Sequence, residues 1–561
     1  MKKILFIIII STAISACKKT YLDVAPKGTL SENQVSANPE ALVTAAYAAL
    51  GNDHYTTPWS LWPYGDVRSG DAYKGGRDES DIQEFYFTEI FTSARPDLGP
   101  YDGLWFQYYV AISRANAALA VLNQLPDSNS IKKARQAEMH FLRGHWYFNL
   151  KRLWKWVPFI DETVNTNDYD KISNRALGND QLWEKIAADF QFAADNLPAT
   201  QSQVGRVNKF AALAYLAKTR LYQAYTQDDN NNVTGASTDR LNQVVTLCNQ
   251  VLSSSYGLES DFGNNFVLSN KNGVESIFAI QYSVNDGTMF GRLNFGDVLG
   301  TPQGIGCCDF HKPSQNLVNA FKTDANGLPM FTTFNNADLD LTSNTVDPRL
   351  DHTVALPGHM WKYDQSLIYQ NDWNRTPDVY GYYASLKENV KKGQYIQVGP
   401  FYANAKNKIL IRYDDVMLWK AEALIELSRQ NEALPIINQI RTRAKNSTSL
   451  LKFSNGSYES NYNVNTYQPG INCTWTQDFA REALRWERRL ELALEGERFF
   501  DLVRWGIAQS YLNTYFNTEK TKRKYLKDGN FQKNRDEYLP VPQNQIRFSH
   551  DLYLQNPGYI K

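Results

Sequence analysis

Apolar residues recur every three or four positions through long stretches of this chain, and this spacing limits its possible folds more than any other feature. In the stretch from residue 101 to residue 125 they form one stripe of Leu104, Tyr108, Ile112, Ala115, Leu119 and Leu122. A repeat near 3.6 residues places such side chains on one face of an α-helix, which must be buried against another element. The sequence therefore predicts a mainly α-helical protein whose helices cover one another.

The same spacing predicts further helices on both sides of a long central region that lacks it. In the first half they are predicted at residues 39–50, 101–125, 131–154, 180–197, 208–226 and 241–254. In the last third they are predicted at residues 413–428, 431–444, 477–496 and 498–515. Large and small residues alternate from Trp183 onward, which is similar to tetratricopeptide (TPR) units, although the turn signature of that repeat is missing. Helix pairs of this kind bury their apolar faces by stacking into a superhelical scaffold.

The first residues have the order of a bacterial export signal. Lys2 and Lys3 precede an apolar stretch at residues 4–14, which is too short to cross a hydrocarbon layer of ~30 Å. Small residues then lead to Cys17, as in the lipobox of bacterial lipoproteins, where the signal is removed and the cysteine carries acyl chains. We therefore predict a signal peptide at residues 1–16 and lipidation of Cys17. An ordinary signal peptide with a chance cysteine is the alternative.

Charge and motif content argue against several classes of protein. The 59 basic and 59 acidic side chains cancel, and removal of the signal would leave a net charge of −2, whereas nucleic-acid binders usually show a basic excess. The sequence contains no nucleophile elbow, zincin motif, phosphate-binding loop or dinucleotide fingerprint. It therefore predicts no catalytic residue, no metal site and no cofactor. Carboxylate pairs for glycoside hydrolysis stay open, because their separation is a property of the fold.

The cysteines that follow Cys17 do not form a disulfide scaffold. There are four of them, at positions 248, 307, 308 and 473, and none has the spacing of a metal site. Cys307 and Cys308 are neighbours, and bridges between neighbouring cysteines are rare because the geometry is strained. We expect all four to be structural, and their disulfide state stays open, because an exported protein meets an oxidising environment.

A series of short motifs runs in order along nearly the whole chain. They are Tyr21-Leu22-Asp23, Ile112-x-Arg114-Ala115-Asn116, residues 137–147, residues 313–321, Asp347-Pro348-Arg349-Leu350, residues 411–423, residues 487–506 and residues 555–559. Residues 411–423 and 487–506 are the most specific. In order and spacing, the series resembles the SusD/RagB family of nutrient-binding outer-membrane lipoproteins.

The resemblance implies a fold, a location and a role. TPR-like helix pairs would hold a loop-rich, ligand-facing region, and the lipid anchor would hold the protein on the outer membrane, at the cell surface. There it would bind a glycan and deliver it to a SusC-type TonB-dependent transporter without catalysis. Peptide uptake within the same family, a lipid-anchored helical glycoside hydrolase and a purely structural scaffold are the alternatives.

The predicted organisation is one integrated fold with two regions. Residues 17–255 form a SusD-like N-terminal region, and residues 256–561 form a C-terminal region. The second region contains a loop-rich insert at residues 256–410, in which residues 276–282 resemble a strand, and helix pairs at residues 411–515.

Aromatic rings among glycines and polar residues are the candidates for a sugar site, because a pyranose face packs on a ring while its hydroxyls need polar partners. Residues 59–77 and 290–383 supply such rings. The predicted ligand-binding residues are Trp62, Tyr64, Asp71, Tyr73, Arg77, Phe295, Phe310 and Trp361. They are chosen by composition, since ligand residues vary within the family. The tryptophans of the periodic helices are expected in the core.

Overall fold

The structure is a computed structural model that describes residues 38–289 and 291–560. The predicted signal peptide at residues 1–16 and the predicted lipidation site Cys17 lie outside the described residues. Within those residues, no helix combines the length and the apolar character that a membrane span requires.

Helices account for most of the regular structure. Those of the first half are α1 (Pro39–Ala48), α2 (Gln83–Ile90), α3 (Gly99–Gln124), α4 (Lys132–Trp154), α5 (Asn179–Asn196), α6 (Lys209–Ala224) and α7 (Thr238–Leu252). Those of the second half are α8 (Gln315–Ala320), α9 (Arg349–Thr353), α10 (Pro377–Tyr380), α11 (Tyr413–Glu426), α12 (Gln430–Asn446), α13 (Gln477–Glu491), α14 (Arg498–Arg504), α15 (Ala508–Lys522) and α16 (Gln543–Phe548). The predicted mainly α-helical fold is confirmed.

The helices stack in sequence order. Each helix from α3 to α7 packs against the next, and α1 lies against α3. Next in the stack is α11, which contacts α7 as well as α12 and α13, so the second set of helices continues the first. The stripe predicted on α3 explains this packing, because Leu104, Leu119 and Leu122 are completely buried.

Local sequence sets the helix ends. Asn208 and Thr476 accept the backbone N–H groups of Ala211 at 3.0 Å and Phe479 at 3.2 Å, which caps α6 and α13. The prediction of one helix over residues 498–515 is wrong. The structure has two helices there, α14 and α15, because Gly506 adopts a positive φ of 70° that the α-helix does not allow.

The strands are short and pair in twos. They are β1 (Ala72–Gly75), β2 (Tyr225–Gln227), β3 (Val233–Ala236), β4 (Ser276–Ile280), β5 (Phe310–Pro313), β6 (Lys322–Thr323), β7 (Thr345–Val346), β8 (Val354–Ala355), β9 (Met360–Trp361), β10 (Asp364–Ile368), β11 (Ala384–Ser385), β12 (Ile396–Val398), β13 (Phe401–Ala403) and β14 (Lys408–Arg412). The antiparallel pairs are β1–β5, β2–β3, β4–β14, β6–β7, β8–β11, β9–β10 and β12–β13. Strand β4 confirms the predicted strand, and β1–β5 joins the two loop-rich stretches.

Two apolar cores hold these elements together. The larger one runs through both sets of helices. The smaller one lies within the insert and consists of Ile305, Ala355, Trp361, Tyr369, Trp373, Ala384 and Leu386. The region boundaries at residues 255 and 410 stay predictions.

Candidate functional site

Six of the eight predicted ligand-binding residues are buried. They are Trp62, Tyr64, Asp71, Tyr73, Phe310 and Trp361, each at most 3% exposed. The expectation that they stand in open loops is wrong, and in this structure their rings and carboxylate face other protein atoms. The other two reach the surface, since Arg77 is exposed and Phe295 is half-buried. Ligand contact by these two residues stays a prediction.

Close packing explains the glycines that indicated an open loop. A Cβ atom on Gly65 would lie 2.0 Å from the carbonyl oxygen of Gly496, and one on Gly70 would lie 2.9 Å from the ring of Tyr515. The backbone of this segment therefore lies directly against the polypeptide after α13 and against α15. The absence of side chains at these positions brings the neighbouring rings into the core.

The buried polar groups of this segment serve the fold. Asp71 Oδ1 accepts a hydrogen bond from Arg489 Nη2 at 2.7 Å, and neither side chain is exposed. The hydroxyl of Tyr73 donates to Glu519 Oε2 at 2.7 Å. Both contacts join the segment after α1 to C-terminal helices, so they fix the tertiary structure.

Three half-buried rings from distant segments meet at the surface instead, and we call Tyr55, Phe295 and Phe401 the ring trio. The centroid of the Phe401 ring, on β13, lies 5.0 Å from that of Tyr55 and 6.3 Å from that of Phe295. The ring of the exposed His54 lies 4.2 Å from that of Tyr55. Phe295 is among the residues predicted from the sequence, whereas Tyr55 and Phe401 are not, because no motif or spacing marks them.

The carboxyl group of the half-buried Asp53 supports the turn that carries Tyr55. Asp53 accepts hydrogen bonds from the backbone N–H of Trp59 at 2.8 Å and from the hydroxyl of Tyr282 at 2.8 Å. Burial, together with the negative charge of Asp297, raises the pKa of Asp53 to about 7. This pKa predicts that the carboxyl group of Asp53, two residues before Tyr55, changes its charge near neutral pH.

Exposed polar groups lie at a second edge of the insert. Arg77 Nε pairs with Asp78 at 2.9 Å, and Arg375 Nη1 pairs with Asp81 at 3.0 Å. The backbone N–H of Arg375 donates to Asp309 Oδ2 at 2.8 Å, which ties this group to the loop before β5. These side chains offer donors and acceptors of the kind that sugar hydroxyls require.

The structure answers a question about the cysteines that the sequence leaves open. Cys307 and Cys308 are joined by a disulfide bond, although they are neighbours in the chain. The backbone accommodates the bond with an uncommon φ of 109° at Cys308. Cys248 and Cys473 carry free thiols.

A cavity of about 410 Å³ lies between α3 and α16. Its lining is mostly apolar and includes Trp105, Tyr109 and Phe548. Asn116 also lines it, but its amide is already bonded to the carbonyl oxygen of Ile160 at 2.9 Å and to Arg143 Nη1 at 3.1 Å. The lining of this cavity therefore suits a hydroxyl-rich sugar less well than the surface around the ring trio does.

Two groups of side chains among the described residues have the spacing of metal ligands, and five of their six members are buried. In the first, the oxygens of Asp351 accept hydrogen bonds from His359 at 2.8 Å and from Ser460 and Tyr462 at 2.7 Å, so they are already satisfied. The second consists of Glu275, Asp414 and Glu491. It is neutralised by the buried guanidinium groups of Arg349, Arg412 and Arg443. Hydrogen bonds in the first group and ion pairs in the second therefore explain why these side chains lie so close together.

Comparison with known proteins identifies the class to which this fold and surface belong. The family model described as "SusD family" matches residues 274–559, and one described as "Starch-binding associating with outer membrane" matches residues 20–221. The chain belongs to the SusD family, which confirms the resemblance drawn from its motifs.

Individual relatives resemble the chain over nearly its whole length. SusD-like protein P2 of Formosa agariphila is 26% identical over 99% of both chains, and SusD-like protein P38 of that organism is 25% identical over 89% of this chain and 90% of its own. A solved structure titled surface glycan-binding protein A from Bacteroides thetaiotaomicron in complex with laminarihexaose has a TM-score of 0.67 at 21% identity, covering 93% of this chain and 99% of its own. A SusD-like carbohydrate binding protein from Bacteroides fragilis has a TM-score of 0.70 at 22% identity, covering 91% of this chain and 98% of its own. These structures share the fold.

Proposed function

We propose that this protein is a lipid-anchored protein of the outer-membrane surface that binds a neutral oligosaccharide at the ring trio. It hands the oligosaccharide to a SusC-type TonB-dependent transporter and performs no chemistry on it. The observation that carries the binding proposal is the meeting of Tyr55, Phe295 and Phe401 at the surface, with ring centroids 5.0 and 6.3 Å apart. Membership of the SusD family and the laminarihexaose complex of a structural relative support it.

The trio suits a sugar for physical reasons. Half-buried rings are held rigidly by their neighbours, so little conformational entropy is lost when a pyranose ring packs on them. A neutral protein surface neither attracts nor repels an uncharged glycan over long distances. Specificity would come from the polar side chains around the rings.

Binding is tested with Phe401→Ala, because Phe401 is the ring that touches both others. Affinity electrophoresis and calorimetry on laminarihexaose, maltohexaose and cellohexaose would measure it. We expect the wild type to bind at least one of these sugars and the variant to lose about tenfold in affinity, since a stacked aromatic side chain contributes more than about 1 kcal/mol.

Phe106→Ala is the matched control. Phe106 is also a surface phenylalanine, 61% exposed, but it lies on α3 beside the apolar cavity. Its loss should leave the affinity unchanged. Failure of the wild type to bind any glycan, combined with tight binding of peptides, would replace the proposal with peptide uptake.

The non-catalytic part of the proposal has its own test. Purified protein should release no reducing sugar from any glycan of the panel. If release occurs, Asp53→Asn would test the carboxyl group beside the ring trio, whose pKa of about 7 would suit a general acid.

Anchor and partner are tested in cells. Cys17→Ala should move the protein from the membrane fraction to the soluble fraction, because the acyl chains would no longer be attached. The unaltered protein, purified from native membranes in mild detergent, should carry a TonB-dependent transporter with it. Its purification without any such channel would contradict the delivery role.

A further inference from the structure

The disulfide between Cys307 and Cys308 closes the shortest loop that two cysteines can form. A cross-link stabilises a fold mainly by restricting the unfolded chain, and the effect grows with the length of the loop it closes. A bond between neighbours therefore contributes little to stability in this way. Its effect is local, because it closes a rigid ring of eight atoms around one peptide bond.

This disulfide ring lies at the surface. Cys308 is buried, but Cys307 is half-buried, and the flanking Gly306 and Gln303 are exposed. The disulfide ring therefore lies at the border between the core, which Cys308 enters, and the surface, which Cys307 partly reaches. Its sulfur atoms offer an apolar, polarisable contact without a hydrogen-bond donor.

The loop lies directly on two aromatic rings. A Cβ atom on Gly304 would lie 2.2 Å from the ring of Trp373, and one on Gly306 would lie 2.1 Å from the ring of Tyr402. Glycine at both positions lets the backbone approach the rings this closely. The half-buried ring of Tyr402 thus lies against the loop that carries the disulfide ring.

The backbone after the disulfide is strained, and buried charges hold it. Three non-glycine residues take positive φ values, Cys308 at 109°, Asp309 at 62° and His311 at 51°. Asp309 Oδ1 pairs with Lys312 Nζ at 2.8 Å inside the protein. Strained backbone persists only where its surroundings impose it, and it concentrates at ligand-binding sites.

We propose that the disulfide ring of Cys307 and Cys308, together with the ring of Tyr402, forms a second sugar-contacting surface for the oligosaccharide held at the ring trio. This inference rests on the proposed function. Phe401 and Tyr402 are neighbours on β13 and point to opposite faces of the β12–β13 hairpin, because side chains alternate along a strand. An extended oligosaccharide that crosses the hairpin contacts both faces, with the exposed amide of Gln303 beside its hydroxyls.

Glycan affinity should therefore depend on the redox state of the Cys307–Cys308 pair. Dithiothreitol donates two electrons and two protons, so the S–S bond breaks, two thiols form and the reagent becomes a cyclic disulfide. Reduction opens the eight-atom ring and releases the loop from its fixed shape. Glycan binding should weaken while the ring trio stays intact.

The test compares the wild type with the double variant C307S/C308S by calorimetry on the oligosaccharide panel named above. We expect about a tenfold loss of affinity in the double variant. The control is Cys473→Ser, which removes a half-buried free thiol and should bind like the wild type. Wild-type protein reduced with dithiothreitol should match the double variant and recover on reoxidation, which tests the proposal even if the double variant folds poorly.

The outcomes separate this inference from the proposed function. Unchanged affinity in both the double variant and the reduced protein, with weakened binding by Phe401→Ala, would overturn the role of the disulfide and leave the ring trio in place. Failure of the wild type to bind any sugar of the panel would overturn both.

Discussion

His311 is predicted to make the stability of this protein depend on pH in the alkaline range. Its imidazole lies inside the core, with Nδ1 2.9 Å from Glu388 Oε1 and Nε2 3.1 Å from Asp66 Oδ2. Burial lowers the pKa of His311, but the negative charges of Glu388 and Asp66 outweigh burial and raise that pKa from 6.5 to about 10. The folded protein therefore holds this proton more tightly than the unfolded chain does.

The sign and size of the effect follow from this difference. The stabilisation is complete below pH 6.5, where the histidine is protonated in both states, and it is lost as the pH rises toward 10. Each pKa unit corresponds to about 1.36 kcal/mol, so the contribution is at most roughly 5 kcal/mol. Part of this stabilising free energy offsets the cost of burying the carboxylates of Glu388 and Asp66 beside the imidazole.

Urea denaturation of the wild type and of His311→Gln between pH 6.5 and 9.5 measures the effect. The difference in the free energy of unfolding between the two proteins should shrink as the pH rises. Burial lowers the pKa of Lys74, Lys155 and Lys406 to about 8, within the same range, but these lysines are common to both proteins and cancel in the difference. A constant difference across this pH range would refute the reasoning, as would an NMR titration of the wild type that places the pKa of this imidazole near 6.5.

Further predictions concern the residues that pack the segment after α1. Asp71→Asn should lower the free energy of unfolding by about 3–5 kcal/mol in urea denaturation, because the buried guanidinium of Arg489 loses its carboxylate partner. The glycan affinity of the folded variant should stay unchanged. A loss of affinity without a loss of stability would instead restore Asp71 as a ligand residue. Gly65→Ala should lower the free energy of unfolding by about 1–3 kcal/mol, because the new Cβ would meet the carbonyl oxygen of Gly496. Gly393→Ala is the control, because the space around Gly393 is open and the free energy of unfolding should change little. Thermal and urea denaturation measure both variants.

The helices could be predicted from the sequence because their information is local. The apolar stripe on α3 shows the helical spacing directly in the sequence. Capping residues such as Asn208 lie next to the helix end that they cap. The predicted helix bounds were wrong where a single backbone angle ends a helix. At Gly506, a positive φ divides what composition alone presents as one continuous helix.

The candidate site could not be predicted in the same way, because exposure is a property of tertiary packing. Trp62 and Tyr73 stand among glycines in the sequence, but both side chains are buried in the structure. The pairing of β1 with β5 packs their segment against the insert. Tyr55 and Phe401 are more than three hundred residues apart and meet only because the insert folds back over the N-terminal segment. The disulfide of Cys307 and Cys308 accompanies a positive φ at Cys308, and no sequence motif predicts that backbone conformation.

The contact between α7 and α11 has a consequence for how this family could acquire new specificities. The two helices flank the insert and pack against each other, so its two ends are held together by the scaffold whatever its length. The entropic cost of closing a loop rises by only about 0.6 kcal/mol for each doubling of its length. Insertions and deletions there would reshape the proposed ligand surface at little cost to the helical stack, so binding specificity could change while the stability of the stack is kept.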